Sequence, residues 1–408
     1  MSEAAPQLSI PPEAEWGPTF DVGRAADAYI ATIPAADRER SDAYFEGGYW
    51  IGLWGTLLTV ALCALLLHFR FAARLRDLAA SRGRGPWVQS LVVAIGFMAA
   101  LAVLALPWTL YTGYFREHQY GMSNLTLGGF LGEWLLDTAI DVAVIGLAIS
   151  GIYRLLRRVR ERWVAWATAV TFLFVLFVFT VAPVAVDPLF NDYHPLPPGE
   201  VRESILALAT ESQVPVDDVF WFNASKQTKR ISANVSGLGS TARIALNDNL
   251  MNGTSLPEIR AVMGHEMGHY RLHHGLKLGL GFTLALGIGY LAVNYAFGRF
   301  QRRYGDRWGI RDLADPAGLP LAFAILVVVL YLLTPVTNTL TRVAEAQADA
   351  FGLDAAREPH GFASVAMRLS TYRKLEPGAL EEVVFFDHPS GRARVERAMK
   401  WLAEHPPQ

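Results

Sequence analysis

Two histidines in the stretch AVMGHEMGHYRLHHG, Ala261–Gly275, stand four residues apart, with a glutamate directly after the first. On a helix, that spacing puts His265 and His269 on one face, where two imidazoles can hold one zinc ion. Glu266 then stands where a general base for a metal-activated water has to be. A zinc hydrolase needs a third protein ligand and an open fourth position. The extended pattern HExxHxxGxxH fails here, because Leu272 and Gly275 occupy the positions of its Gly and last His, so the third ligand is expected on another element. TRVAEAQADAFG supplies it: Glu345 and Asp349 are four apart on an expected helix, with Glu345 the ligand and Asp349 either orienting a ligand histidine or handling a proton. Spacing alone equally allows two solvated acids on an interfacial helix. His273 and His274 read as supporting or surface groups.

The elements that must position these residues are mostly membrane helices. The 408-residue chain is 52% hydrophobic and only 18% charged, which points away from a soluble enzyme. Six runs, 50–69, 88–110, 129–155, 163–186, 276–297 and 319–340, meet the requirement of about 20 apolar residues for a bilayer-crossing helix. The expected fold is mainly α: a polytopic helical membrane protein of about six spans, carrying a gluzincin-like HExxH catalytic domain with a small β-sheet. The expected division is a polar N-terminal arm at 1–45, a four-span membrane region at 46–186, and a metallopeptidase domain at 187–408 interrupted by spans at 276–297 and 319–340. The N-terminus lacks the basic and apolar regions of a signal peptide, so the arm is expected to stay attached.

Within the soluble portion, PPGEVRESILALATES has helical periodicity, and DDVFWF and TARIALN are short β-rich runs. The histidine helix is expected to start at SLPE, with Ser255 as cap, Glu258 bonding back and Pro257 in the first turn. Glu133, Asp137 and Asp141 recur every four residues into the third run and make one acidic face, suited to a hydrated interior. Pro335 is expected to kink the sixth run, with Asn338 bonding the freed backbone groups. Cys63 has no partner for a disulfide. The net charge of −2 argues neither for nor against a nucleic-acid partner, and with no basic stripe of interleaved aromatics none is expected.

These segments resemble the membrane zinc endopeptidases that include the type I CAAX prenyl proteases. EIRAVMGHEMGHYRLHHGLK is similar to that family's metal helix with a later His and Lys, here His274 and Lys277, and EAQADAFG to its third-ligand motif. DHPSGRARVERA resembles its HP-x-x-x-x-R segment, putting His388 and Arg394 at the matching positions. ISANVSGLGSTARIALNDNL resembles a strand-and-turn stretch whose Asn lies beside the substrate, here Asn234, and two flanking segments, FREHQYGMSNLTLGGFL and DPLFNDYHPLPPGEVRESI, extend the likeness. The resemblance implies one zinc per chain on His265, His269 and Glu345, with Glu266 moving the proton. His388 or Arg394 would then stabilise an oxyanion or pair with Asp349. Eukaryotic members have seven spans around an intramembrane chamber, against six runs here.

The expected function is therefore an integral-membrane zinc endopeptidase acting on peptide or protein substrates in a lipid bilayer, on membrane or misfolded proteins that need not be prenylated. The competing class is a metal-regulated transporter or channel, which should carry broken spans and paired charges near the midplane. Three short Arg-rich connections, 70–85, 154–162 and 299–311, fall on one side of a six-span chain. Such loops remain cytoplasmic, so the catalytic part is expected on the non-cytoplasmic side of the cell membrane.

Overall fold

The computed structural model describes residues 7–237 and 243–407. Its first half is helical: α1 (Val22–Ala31), α2 (Ala35–His68), α3 (Phe71–Ser81), α4 (Pro86–Thr109), a π-helical turn at Leu110–Phe115, α5 (Arg116–Gln119), α6 (Leu127–Val159) and α7 (Trp163–Ala185). The second half mixes β1 (Tyr193–Pro195), α8 (Glu200–Glu211), β2 (Val219–Phe222), β3 (Ala233–Ser236), β4 (Arg243–Asn247) and α9 (Asp248–Gly253) with helices to the end of the chain. These are α10 (Leu256–Arg271), α11 (His274–Trp308), α12 (Leu319–Leu332), α13 (Thr334–Ala356), α14 (Pro359–Leu369), α15 (Ala379–Phe385) and α16 (Gly391–Glu404).

Four helical stretches are long and apolar enough to cross a membrane: Ala35–His68, Pro86–Gln119, Leu127–Leu189 and His274–Trp308. A fifth is the pair Pro316–Leu332 and Thr334–Ala356, bent by 52°. The 63-residue stretch Leu127–Leu189 is interrupted at Arg160–Arg162, where Arg160 takes a left-handed φ of 36°, and it holds both the third and fourth apolar runs. Each of the six runs thus falls on one of these stretches. The bend in the last pair lies next to Pro335, whose ring cannot continue the preceding hydrogen-bond ladder. Asn338 does not repair that ladder. Its amide instead donates to the Val384 carbonyl of α15 at 3.0 Å, tying the bent helix to the soluble part.

The Arg-rich connections meet at one end of the bundle. Arg70 donates to the Arg307 and Asp306 carbonyls, Arg76 pairs with the buried Asp315, and Arg311 lies 3.7 Å from Asp77. At the other end sits a four-stranded mixed sheet of order β1-β2-β4-β3, with β2 and β4 parallel and the outer pairs antiparallel. Its inner residues, Val219, Ile244 and Leu246, close a core with Ile205, Leu208, Ile259, Met263 and Met267 of α8 and α10. The stretch expected as a polar arm holds α1, whose Ala25, Ala26, Tyr29 and Ile30 are buried against α14 and α16. Tyr29 Oη meets His360 Nδ1 at 2.9 Å, and Arg392 donates to Asp27 at 2.8 Å.

Helix α10 starts as its sequence dictates. The Ser255 N–H and hydroxyl both donate to Glu258 Oε2 at 2.7 Å, while Ser364 at 2.8 Å and Arg368 donate to Oε1, so a fully buried carboxylate ties the start of α10 to α14. Burial alone would push this carboxyl up; the Arg368 guanidinium and the Ser255 and Ser364 donors outweigh it and hold the group below its ordinary range. A carboxylate with a depressed folded-state pKa stabilises the fold above its unfolded pKa, and that contribution is lost as pH falls through the folded value. Glu258→Gln is therefore expected to cost about 2 kcal/mol at neutral pH, by loss of bonds to a charged acceptor. Thermal unfolding in detergent should show the gap between wild type and variant closing on acidification. A gap independent of pH would contradict the assignment.

Candidate active site

The site is built where α10 and α13 cross in backbone contact. A β-carbon at Gly264 would lie 2.9 Å from the Gly352 carbonyl oxygen, one at Gly268 3.1 Å from Ala348 Cα, and one at Gly352 2.7 Å from the His265 nitrogen. Such small residues let two helices approach more closely than larger side chains allow. The consequence is chemical, because the histidines that follow each α10 glycine are pressed against the acids that precede Gly352.

His265 Nε2 and His269 Nε2 are 3.0 Å apart, and the Glu345 carboxylate oxygens lie 3.3 and 3.4 Å from them. All three donor atoms fall within 4.8 Å of one another. Tetrahedral zinc with bonds of about 2.0–2.1 Å separates its ligand atoms by about 3.3 Å, so the spacing fits, and the two-nitrogen, one-oxygen donor set suits zinc. Two imidazole lone pairs and a carboxylate converging on one point are reconciled by a cation.

Around this cluster is a cavity of about 300 Å³ whose wall includes Glu266, His388 and Arg394. Burial pushes the Glu266 carboxyl up, while the neighbouring His265 and His269 pull it back toward the ionised form. His388 Nε2 is 3.3 Å from Glu345 Oε2, and its Nδ1 is 2.8 Å from Asp387. Asp349 lies behind the cluster, completely buried, with Oδ1 2.9 Å from His265 Nδ1. Arg394 binds both Asp349 oxygens, and Arg397 Nη1 donates to Oδ2 at 2.7 Å. Two guanidinium groups from α16 thus offset the charge of a carboxylate that fixes the ring of His265.

The structure brings His265, Glu266, His269, Glu345, His388 and Arg394 to one cavity and sets Asp349 behind His265. Asn234 is not in the cavity wall, although Ser232 and Ala233 are. It sits on edge strand β3 opposite Ala245, with Oδ1 buried and without a hydrogen-bond partner among the described residues. Part of the turn that follows lies outside the described residues. Sequence reading missed Tyr372 and Arg373, which line the cavity, Arg373 Nη2 lying 3.3 Å from His388 Nε2. Nothing in TYRKLEPG marks them. Arg397, also missed, stands three residues after Arg394, one turn along the same helix face. Of the acidic face on α6, Glu133 accepts from Gln227 Nε2 at 2.8 Å, and Glu133 and Asp137 line a separate cavity of about 390 Å³.

Residues 195–406 match the family model described as peptidase family M48, and residues 24–192 match the CAAX prenyl protease N-terminal model of five membrane helices. The chain is 29% identical over 325 residues to the uncharacterized metalloprotease YhfN of Bacillus subtilis, covering 77% of this chain and 76% of that protein. It is 27% identical over 278 residues to the probable CAAX prenyl protease 1 of Schizosaccharomyces pombe, covering 67% of this chain and 58% of the relative's length. The crystal structure of S. mikatae Ste24p has the same fold, with a TM-score of 0.74 at 20% identity over 90% of this chain and 89% of that one.

The crossing predicts a sensitive position. Gly352→Ala, which touches no titratable group, is expected to cost about 1–3 kcal/mol by overpacking and to weaken metal retention. Gly253→Ala, where a β-carbon meets nothing within 4 Å, should do neither. Thermal unfolding and metal content of the two purified variants check this, and equal behaviour would contradict it.

Proposed function

The chain belongs to peptidase family M48, and on that premise we propose that it hydrolyses peptide bonds at one zinc ion held by His265, His269 and Glu345. It is a multi-pass membrane metalloprotease. The observation that carries the residue assignment is the convergence of these donor atoms beside Glu266 in one cavity wall. Nothing in the comparisons favours the transporter or channel alternative.

Zinc bound there would polarise a scissile carbonyl and make water acidic enough to attack it at neutral pH. Glu266 takes the proton from the attacking water and passes it to the leaving amine. Its partial desolvation serves both steps, since it brings a carboxylate closer to the pH at which it can gain and lose a proton. Arg394 is committed to Asp349, which makes it a positioning residue. His388, Tyr372 and Arg373 are groups left facing the cavity, and of these His388, which also touches Glu345, is the one we assign to the developing oxyanion. An extended substrate would lie along β3, taking main-chain bonds from its outer edge, with Asn234 Oδ1, which has no partner among the described residues, holding the segment in register with the substrate. The substrates on this reading are membrane-associated or misfolded proteins.

Wild type should hold one zinc and cleave a quenched fluorescent peptide in detergent. Glu266→Gln should keep the zinc and lose at least ~100-fold in rate, given the usual size of acid–base terms; Glu345→Ala should lose both. A Glu345→Ala variant with normal zinc would remove Glu345 from the ligand set.

The catalytic part is placed on the non-cytoplasmic side of the cell membrane. In support, α11 runs from the metal cluster at His274 to the Arg-rich end at Trp308, about 50 Å at 1.5 Å per residue, and the basic end is the one retained in the cytoplasm. In a Cys63→Ala background, Lys400→Cys should react with a membrane-impermeant maleimide on whole cells, and Arg82→Cys only after permeabilisation. The reverse pattern would invert the topology.

A further inference from the structure

His265 has a charged support in Asp349, but among the described residues no carboxylate meets His269 Nδ1. Its Nδ1 lies 3.0 Å from Nδ1 of His274, and Nε2 of His274 lies 3.1 Å from Oε1 of Gln347. His274 is 1% exposed while Gln347 is exposed, so the His269–His274 end of this chain of bonds is shielded from water and Gln347 closes it at the surface. Residues five apart on a continuous helix do not face each other. The contact exists because α10 ends at Arg271 and α11 begins at His274, with His273 between them in the left-handed region at φ 55°.

With the amide oxygen of Gln347 turned toward His274, as the structure has it, the protons in this chain have one consistent order. If Nε2 of His269 is to bind a metal, its ring proton sits on Nδ1 and is donated to the bare Nδ1 of His274. The His274 proton then sits on Nε2 and is donated to the Gln347 carbonyl oxygen. In the opposite order, the bare Nε2 of His274 would face Gln347 Oε1 at 3.1 Å, two acceptors in contact, and Nε2 of His269 would carry the proton that a metal must displace. The side-chain oxygen of Gln347 thus selects the tautomer in which His269 is ready to ligate.

We propose that His274 and Gln347 are positioning residues that fix the tautomer and ring plane of His269, forming a neutral counterpart to the anionic Asp349 support of His265. The inference rests on the zinc-site reading above. It makes α13 the source of the third ligand and of both outer supports, since Glu345, Gln347 and Asp349 are spaced two apart on one helix. A neutral relay also adds no negative charge next to the metal, whereas a second carboxylate would make both His269 and the metal more electron-rich.

The test is the rate at which zinc passes from the purified holoenzyme in detergent to a colorimetric chelator, with the visible spectrum of the cobalt-substituted protein as a second readout. His274→Ala should release zinc roughly 10- to 100-fold faster, the usual cost of losing an outer hydrogen bond to a ligand histidine, and should shift the cobalt bands. Gln347→Met, which keeps His274 and the side-chain volume, should release it several-fold faster. His274→Gln, whose amide oxygen can accept from His269, should recover part of the loss. Gln347→Glu should release zinc more slowly than wild type, which a merely structural role for this position does not predict. If His274→Ala does not fold, the two Gln347 variants decide the matter in the same way. Release at the wild-type rate with unchanged cobalt bands in these variants would overturn the assignment while leaving the zinc site standing. A wild type that holds no zinc would overturn both.

Discussion

The contact between α10 and α13 is the constraint on which the rest depends. Glycines at 264, 268 and 352 bring the two backbones together, and the approach is tight enough that a single methyl at Gly352 would collide with the chain at His265. Two histidines and a carboxylate can then share a space a few ångströms wide. Packing at the crossing holds them at ligand spacing, and rigid elements of this kind are what keep a site in a defined geometry.

Around that crossing the charges are arranged in layers. The buried Asp349 has its two oxygens bound by Arg394 and Arg397 of α16, so the C-terminal helix is tied to α10 through His265. α16 is in turn covered by α1, which brings Ala25, Ala26, Tyr29 and Ile30 into the core beneath the site. Lys374, next to Arg373 in the cavity wall, is held by Glu46 of α2 at 2.6 Å and by Glu381 at 2.9 Å. Membrane helix and catalytic wall therefore share ion pairs, and the bent pair α12 and α13 joins them covalently. The two spans that interrupt the soluble part supply two of the helices, α11 and α13, that carry the site.

Much of this was legible in the sequence because it rests on local signals. The cap at Ser255 and Glu258, the four-residue spacing of His265 and His269, and the apolar runs each follow from periodicity and from the demand that backbone polar groups in lipid bond within the helix. Glu345 was legible as the ligand among two spaced acids, but spacing alone equally allowed a solvated pair, and the family resemblance decided between the two. What was illegible depends on distant packing. Arg373 carries no motif, and it reaches the cavity because the loop after α14 is pinned by Lys374. The docking of α1 is carried by two alanines, a tyrosine and an isoleucine too ordinary to stand out. Asn338 bonds across to α15 and not within its own helix, since a neighbouring carbonyl is closer to hand than the backbone freed at Pro335. His274 was visible as one of four clustered histidines, but its role depends on a break in the helix that spacing alone does not reveal.

The central claim is that His265, His269 and Glu345 hold a single zinc ion. X-ray absorption at the zinc edge of the purified wild-type protein tests it most directly. The account predicts one zinc per chain, a shell of only nitrogen and oxygen neighbours at about 2.0–2.1 Å, and scattering from two imidazole rings. A sulfur shell, three or more imidazoles, or the absence of stoichiometric zinc would contradict it.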